Sequence, residues 1–300
     1  MPAHTTDFHT QYKEIKRLKP AGIRGIARAA VLVALALVER TKGIRKGLGK
    51  PRVQFIYIHH VFKDEEKPLA ALLKTLGETH RFIPYSEGVE RVLSGNIDRA
   101  YVCISSDDGL KNNVRAAEIL TEHGASGCFF INPAIINAGT REEVERFCRD
   151  RIHFPLVEFM DWRDVDRLMK LGHEIGSHTM GHSDVATMGQ AEFEEDCGKC
   201  IEVITRRCGG VRHFAFPYGR FVNFNDMARQ TVFKSGFISC ASAERGCHIP
   251  PGRPLRNDEL CLRRDQVVLD WKLGHILHFL AKNARNAGIS GNLFPYAQCG

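Results

Sequence analysis

The run Tyr101-Val-Cys-Ile-Ser-Ser-Asp-Asp-Gly109 is apolar and β-prone until it ends on two adjacent carboxylates and a glycine. A strand that carries acids to a turn at its C-terminal end belongs to an α/β protein whose chemistry sits at its strand ends. A second cluster, His178-Thr-Met-Gly-His182, closes the strand-like run that begins at His173. Two imidazoles and one carboxylate supply the three protein ligands of an open divalent-metal site. One carboxylate is left over, free to act as a general base on water, which is the chemistry of hydrolysis.

Working outward, short β-branched or aromatic runs at 53–59, 100–107, 126–132, 173–178, 213–217, 236–243 and 259–264 read as strands. Longer amphipathic segments at 67–76, 86–94, 112–123, 141–149, 162–171, 190–207, 223–234 and 267–283 read as helices. Such alternation predicts parallel strands joined by crossover helices. Asp107, Asp108, His178, His182, Tyr218, His59 and His60 all fall at C-terminal strand ends. A barrel gathers those ends at one mouth, whereas an open sheet would spread them. The expected fold is an α/β, distorted or incomplete (β/α)7-8 barrel. It forms a single catalytic domain over 51–300, preceded by a basic helical N-terminal arm over 1–50.

A hydrophobic fraction of 43% and a charged fraction of 26% fit a globular enzyme and exclude a disordered chain. Much of the net charge of +7 comes from the first fifty residues, from Lys13 and Arg17 through Lys50. That arm reads as solvated, with peripheral membrane contact as the lesser alternative. Nothing in the chain matches a nucleic-acid-binding motif. The apolar stretch 29–38 is shorter than the ~20 residues of a membrane span and does not resemble a secretory signal. A cytoplasmic location is therefore expected, and the ten cysteines are expected to stay reduced. The only Cys-x-x-Cys, Cys197 to Cys200, has no second pair to complete a four-cysteine zinc site.

These residues resemble the polysaccharide deacetylases, the NodB-homology or carbohydrate esterase family 4 group. Ser105-Ser-Asp-Asp-Gly109 resembles the family's Thr-Phe-Asp-Asp-Gly motif, and His178-Thr-Met-Gly-His182 its His-Ser/Thr-x-x-His motif. Phe214-Ala-Phe-Pro-Tyr-Gly219 resembles the third, usually Phe-Arg-Pro-Pro-Tyr-Gly. The resemblance implies Asp108, His178 and His182 as ligands of a divalent metal and Asp107 as the base; the two-His, one-Asp donor set makes zinc the expected metal, although other divalent metals satisfy it. The resemblance also implies that the backbone N–H of Tyr218 helps to hold the tetrahedral oxyanion.

The chain departs from the family pattern in two places. Ala215 stands where the third motif carries an Arg that orients the base, leaving Arg245, Arg256 and Arg264 as candidate replacements. Of the later motifs, Asp270-Trp271 lacks the earlier Asp, while Leu273-Gly-His275 fits Leu-x-His within a helical stretch. Tyr57-Ile-His-His-Val-Phe62 instead resembles the first strand of the biofilm-polysaccharide N-deacetylases, in which the acid histidine comes from the start of the domain. That resemblance makes His60 the expected general acid, with His59 and His275 as alternates. The expected function is metal-dependent removal of N-acetyl groups from the amino sugars of a surface polysaccharide or its precursor. The partner implied is an N-acetylated saccharide. Alternatives are a small-molecule deformylase or amidohydrolase using the same site, and a catalytically silent carbohydrate-binding relative.

Overall fold

The computed structural model describes residues 8–18, 47–288 and 293–295. Strands β1 (Arg52–Ile58), β2 (Arg81–Phe82), β3 (Ala100–Ser106), β4 (Gly127–Ile131), β5 (Glu174–Ser177), β6 (His213–Ala215), β7 (Ser239–Ala241), β8 (Cys261–Leu262) and β9 (Arg264–Gln266) form one parallel sheet. Its order is β8-β7-β6-β5-β4-β3-β1-β9, with β2 beside the start of β3. β8 and β9 are two halves of one run interrupted at Arg263. The first half pairs with β7 and the second with β1, so this run closes the sheet into a nearly complete barrel. The sequence-based strands all appear. Only β2 is new, and two residues are too short to leave a periodic signal.

Alternation along the strands sorts side chains into two layers. Val53 and Phe55 of β1, Tyr101 and Cys103 of β3, and Cys128 and Phe130 of β4 meet Ala215 and Ala241 inside the barrel. Ile56 and Ile58, Val102 and Ile104, and Phe129 and Ile131 face outward onto the helices. With both faces covered, β1, β3 and β4 are buried throughout. The same parity continues past the strand ends, where it aims Tyr57, Ser105 and Asp107 into the barrel mouth.

Among the described residues the α-helices are α1 (Tyr12–Leu18), α2 (Glu66–Gly77), α3 (Tyr85–Ser94), α4 (Asn113–Glu122), α5 (Arg141–Asp150), α6 (Trp162–Lys170), α7 (Gln190–Cys208), α8 (Asp226–Lys234) and α9 (Leu273–Asn286). Capping boxes from Thr140 and Asp161 start α5 and α6, and Gly209, at φ 81°, ends α7. The final helix starts later than the expected 267. The Val267 amide donates to Tyr57 (2.9 Å) and prolongs the barrel seam, and a turn at Asp270 follows before α9 begins.

Residues 8–18 lie within the segment expected to be a solvated arm, yet they pack on the barrel and bury Ile15 against Phe62 and Leu110. The apolar stretch 29–38 lies outside the described residues. No described helix is long and apolar enough to cross a membrane. Cys197 and Cys200 are buried, unbridged thiols of α7.

Candidate active site

A cleft of about 890 Å³ opens at the barrel mouth, lined by Asp107, Asp108, His178, His182, Tyr218 and Arg264, with His59 and His60 on its first-strand side. The loops that shape it use backbone conformations that L-residues rarely adopt. Asp108 (φ 73°), Thr179 (φ 62°), His182 (φ 55°) and Tyr218 (φ 61°) are all left-handed. Each costs on the order of 1–2 kcal/mol, so surrounding bonds must hold them there. The side-chain amide of Asn132 donates to the carbonyls of both His178 and Thr179. The half-buried Asp196 of α7 accepts from the Met180 amide at 3.1 Å. His178 and His182 therefore converge through a pinned turn rather than through a helix.

The two imidazoles are fixed in one tautomer. Nδ1 of His178 lies 2.7 Å from the Ala215 carbonyl, and Nδ1 of His182 lies 3.1 Å from that of Arg151. A carbonyl can only accept, so both Nδ1 atoms carry the proton and both Nε2 atoms present lone pairs. Each Nε2 lies 3.4 Å from Oδ1 of Asp108, and that buried oxygen has no hydrogen-bond partner. The three ligand atoms lie within 4.8 Å of one another. Three acceptors facing each other without a proton between them suit a divalent cation.

Asp107 has a different partner. Nη1 and Nη2 of Arg264 donate to its two oxygens, both at 2.8 Å. Nη1 also reaches Ser105 Oγ (3.2 Å), and Nε donates to the Ser242 carbonyl (2.9 Å). The guanidinium stacks over Tyr57, 4.6 Å from the ring centre, and is fully buried. Burial would push the Asp107 carboxyl up, and the Arg264 charge reverses this, leaving it below its ordinary value. Of the three arginines expected as replacements for a third-motif Arg, Arg264 alone grips Asp107. Arg245 lies 3.6 Å from Asp265, and Arg256 pairs with Asp258 at 3.0 Å.

The two first-strand histidines separate. His59 shares the inward parity of Tyr57, lies 3.4 Å from the Gln266 amide, and is electrostatically coupled to Asp108 and Asp107. Burial lowers its pKa, against the pull of those two acids. His60 has the opposite parity. Its Nδ1 lies 2.7 Å from the buried Glu65 carboxylate, and its ring stacks between Tyr12 (4.8 Å) and Phe154 (5.5 Å). His275 is buried on α9 and does not line the cleft. Strand parity is the sequence signal that separates the two histidines, and both line the cleft.

Tyr218 is 40% exposed, packs edge-on to His182 (5.0 Å between ring centres), and donates its hydroxyl to the Arg151 carbonyl (3.2 Å).

Residues 94–237 match the family model for polysaccharide deacetylases. A chitooligosaccharide deacetylase of Azorhizobium caulinodans is 31% identical over 128 residues, which cover 41% of this chain and 50% of the relative. A peptidoglycan-N-acetylglucosamine deacetylase of Bacillus cereus is 26% identical over 132 residues, covering 43% and 40%. The chain thus spans half or less of the length of these curated relatives. The same fold occurs in IcaB from Ammonifex degensii (TM-score 0.58, 17% identity, 79% of this chain and 98% of that one). It occurs again in the BpsB deacetylase domain from Bordetella bronchiseptica (TM-score 0.57, 16% identity, 74% and 96%). The matched segment, just under half of the chain, carries all three strand-end motifs and is similar to the polysaccharide deacetylase family.

Proposed function

We propose that the protein is a hydrolase that removes N-acetyl groups from amino sugars of a surface polysaccharide or its precursor, with a divalent metal held by Asp108, His178 and His182. The observation that carries this reading is the placement of three converging lone pairs beside a carboxylate gripped by Arg264, in one cleft. The donor set of two imidazoles and one carboxylate suits zinc. A cation bound there supplies Lewis acidity, polarising the acetamide carbonyl and easing the ionisation of a water.

The chain's own residues do the rest. Asp107 accepts the proton of the attacking water as the new C–O bond forms, and the Tyr218 N–H donates to the developing oxyanion. We assign the general acid to His59 rather than His60, because strand parity turns His59 into the cleft that Asp107 and Asp108 line, while Glu65 and two aromatic rings hold His60. His59 protonates the amine as the C–N bond breaks. Acetate leaves, and the amino sugar stays.

The test is acetate release from N-acetylglucosamine oligomers by the metal-loaded protein. Asp107→Asn is expected to cut kcat by about 10²–10⁴. Turnover at the wild-type rate in that variant would sink the reading. In pH–rate profiles, His59→Ala is expected to lose the basic limb and His60→Ala to keep it.

A further inference from the structure

A cavity of about 350 Å³ adjoins the active cleft, and Tyr12 lines both. This residue comes from the N-terminal segment, outside the barrel's alternation of strand and helix. The segment is attached mainly by polar clips. The carboxylate of Asp64 accepts from the amides of Tyr12 (2.8 Å) and Lys13 (3.0 Å), capping α1 from a distant loop. Lys16 pairs with Asp270 at 2.9 Å, and the Lys63 amide donates to the Thr10 carbonyl (3.2 Å). In α1 only Ile15 is buried. The ring of Tyr12 lies nearly parallel to that of His60, at 25°. Beyond it, the second cavity offers the indole of Trp271 and the carboxylates of Asp64, Glu65 and Asp270.

Aromatic rings beside carboxylates form a surface that suits a sugar, whose C–H face packs on a ring while its hydroxyls donate to acids. Any ligand that fills both cavities must cross Tyr12. We propose that residues 8–18 are a strap clipped across the barrel mouth, and that Tyr12 is a saccharide-binding residue over which a chain longer than the reacting sugar runs toward Trp271. This inference rests on the proposed deacetylase reading and deepens it, because it makes the substrate an oligomer or polymer rather than a single sugar conjugate.

The test compares chitobiose with chitopentaose as substrates of the metal-loaded full chain. In Tyr12→Ala, KM for chitopentaose is expected to rise about 5–10-fold, the weight of one aromatic contact, and the preference for the longer substrate to collapse. Tyr12→Phe is expected to restore both. Asp64→Ala, which releases the strap, is expected to reproduce the KM effect. Unchanged KM and unchanged length preference in both Tyr12→Ala and Asp64→Ala would overturn the proposal. So would a loss confined to kcat, since it would show that Tyr12 serves only to hold His60. Hydrogen exchange separates this inference from the reading beneath it. Chitopentaose is expected to slow exchange over residues 8–18 in the wild type but not in Tyr12→Ala, whether or not acetate is released. If no slowing occurs the strap proposal falls, while absence of acetate release alone sinks the deacetylase reading.

Discussion

Arg264 on β9 donates two parallel hydrogen bonds to Asp107 at the end of β3, each 2.8 Å, and both side chains are buried. The pair joins the strand that closes the barrel to the strand that carries the acids. Replacing Arg264 with Met would leave a buried carboxylate without its partner, which costs about 3–5 kcal/mol. Adding Asp107→Asn removes the stranded charge, so the double variant is expected to regain much of that loss in chemical denaturation. Additive losses would show that the pair is not coupled. Arg264→Lys keeps the charge but not the fork, and a lower kcat is expected from a base left free to rotate.

The placement of Arg264 marks how far the sequence could be read. Alternation and strand-end polarity predicted every strand of the sheet but β2, and the three motifs brought Asp107, Asp108, His178, His182 and Tyr218 to one mouth. Those features are local, because each motif closes its own strand. The Arg264 pairing depends on which strand closes the barrel and in what register, here Arg264 opposite Phe55, and no local pattern carries that information. The docked strap was unreadable for a similar reason. Its clips, from Asp64 and Asp270, come from far along the chain and leave no periodicity in residues 8–18. His59 is a different case. Counting inward positions from Phe55 through Tyr57 places it on the barrel side of the strand and His60 on the other.

The unpartnered Asp108 Oδ1 and the two Nε2 atoms that face it predict a specific response to metal. Adding zinc to chelator-treated protein should raise Tm, since a ligand at 1,000 times its Kd stabilises by about 4 kcal/mol. Asp108→Ala and His182→Ala should lose both the shift and the bound metal, read by elemental analysis. Full metal content in either variant would place the cation elsewhere.

Gly219 holds the Tyr218 loop against the loop after β7. At φ 65° it is left-handed, and a Cβ added there would lie 2.3 Å from that of Ala243 and 2.6 Å from the Ala243 nitrogen. The Ala243 amide also donates to the Gly219 carbonyl at 2.8 Å, so the two segments cannot part without losing that bond. Gly219→Ala is expected to cost about 2–4 kcal/mol, combining left-handed strain with overpacking. Activity should fall with it, because Tyr218 moves with its neighbour. A variant as stable and active as the wild type would show that the loop yields freely.

Asp265 predicts a pH dependence of stability that runs against the usual carboxylate trend. It is fully buried beneath α9, where the side chains of Gln54 (2.6 Å) and Asn283 donate to it. Burial pushes its pKa up to about 6 despite those donors and the nearby Arg245. An unfolded aspartate titrates near 3.9, so between roughly pH 4 and 6 the native state binds more protons than the unfolded chain. The stability from this group is therefore fully present below about pH 4 and is lost as pH rises through about 6, on the order of 2–3 kcal/mol. His80, lowered to about 3 by burial and by Arg52, acts oppositely over the same window: stability from its neutral form grows as pH rises. The wild-type profile mixes the two effects, and the difference between wild type and Asp265→Asn isolates the aspartate. Urea denaturation of both proteins from pH 4 to 7 should show the wild type losing stability relative to the variant as pH rises. Parallel profiles would mean that Asp265 stays ionised in its network, with the Gln54 and Asn283 donors outweighing burial.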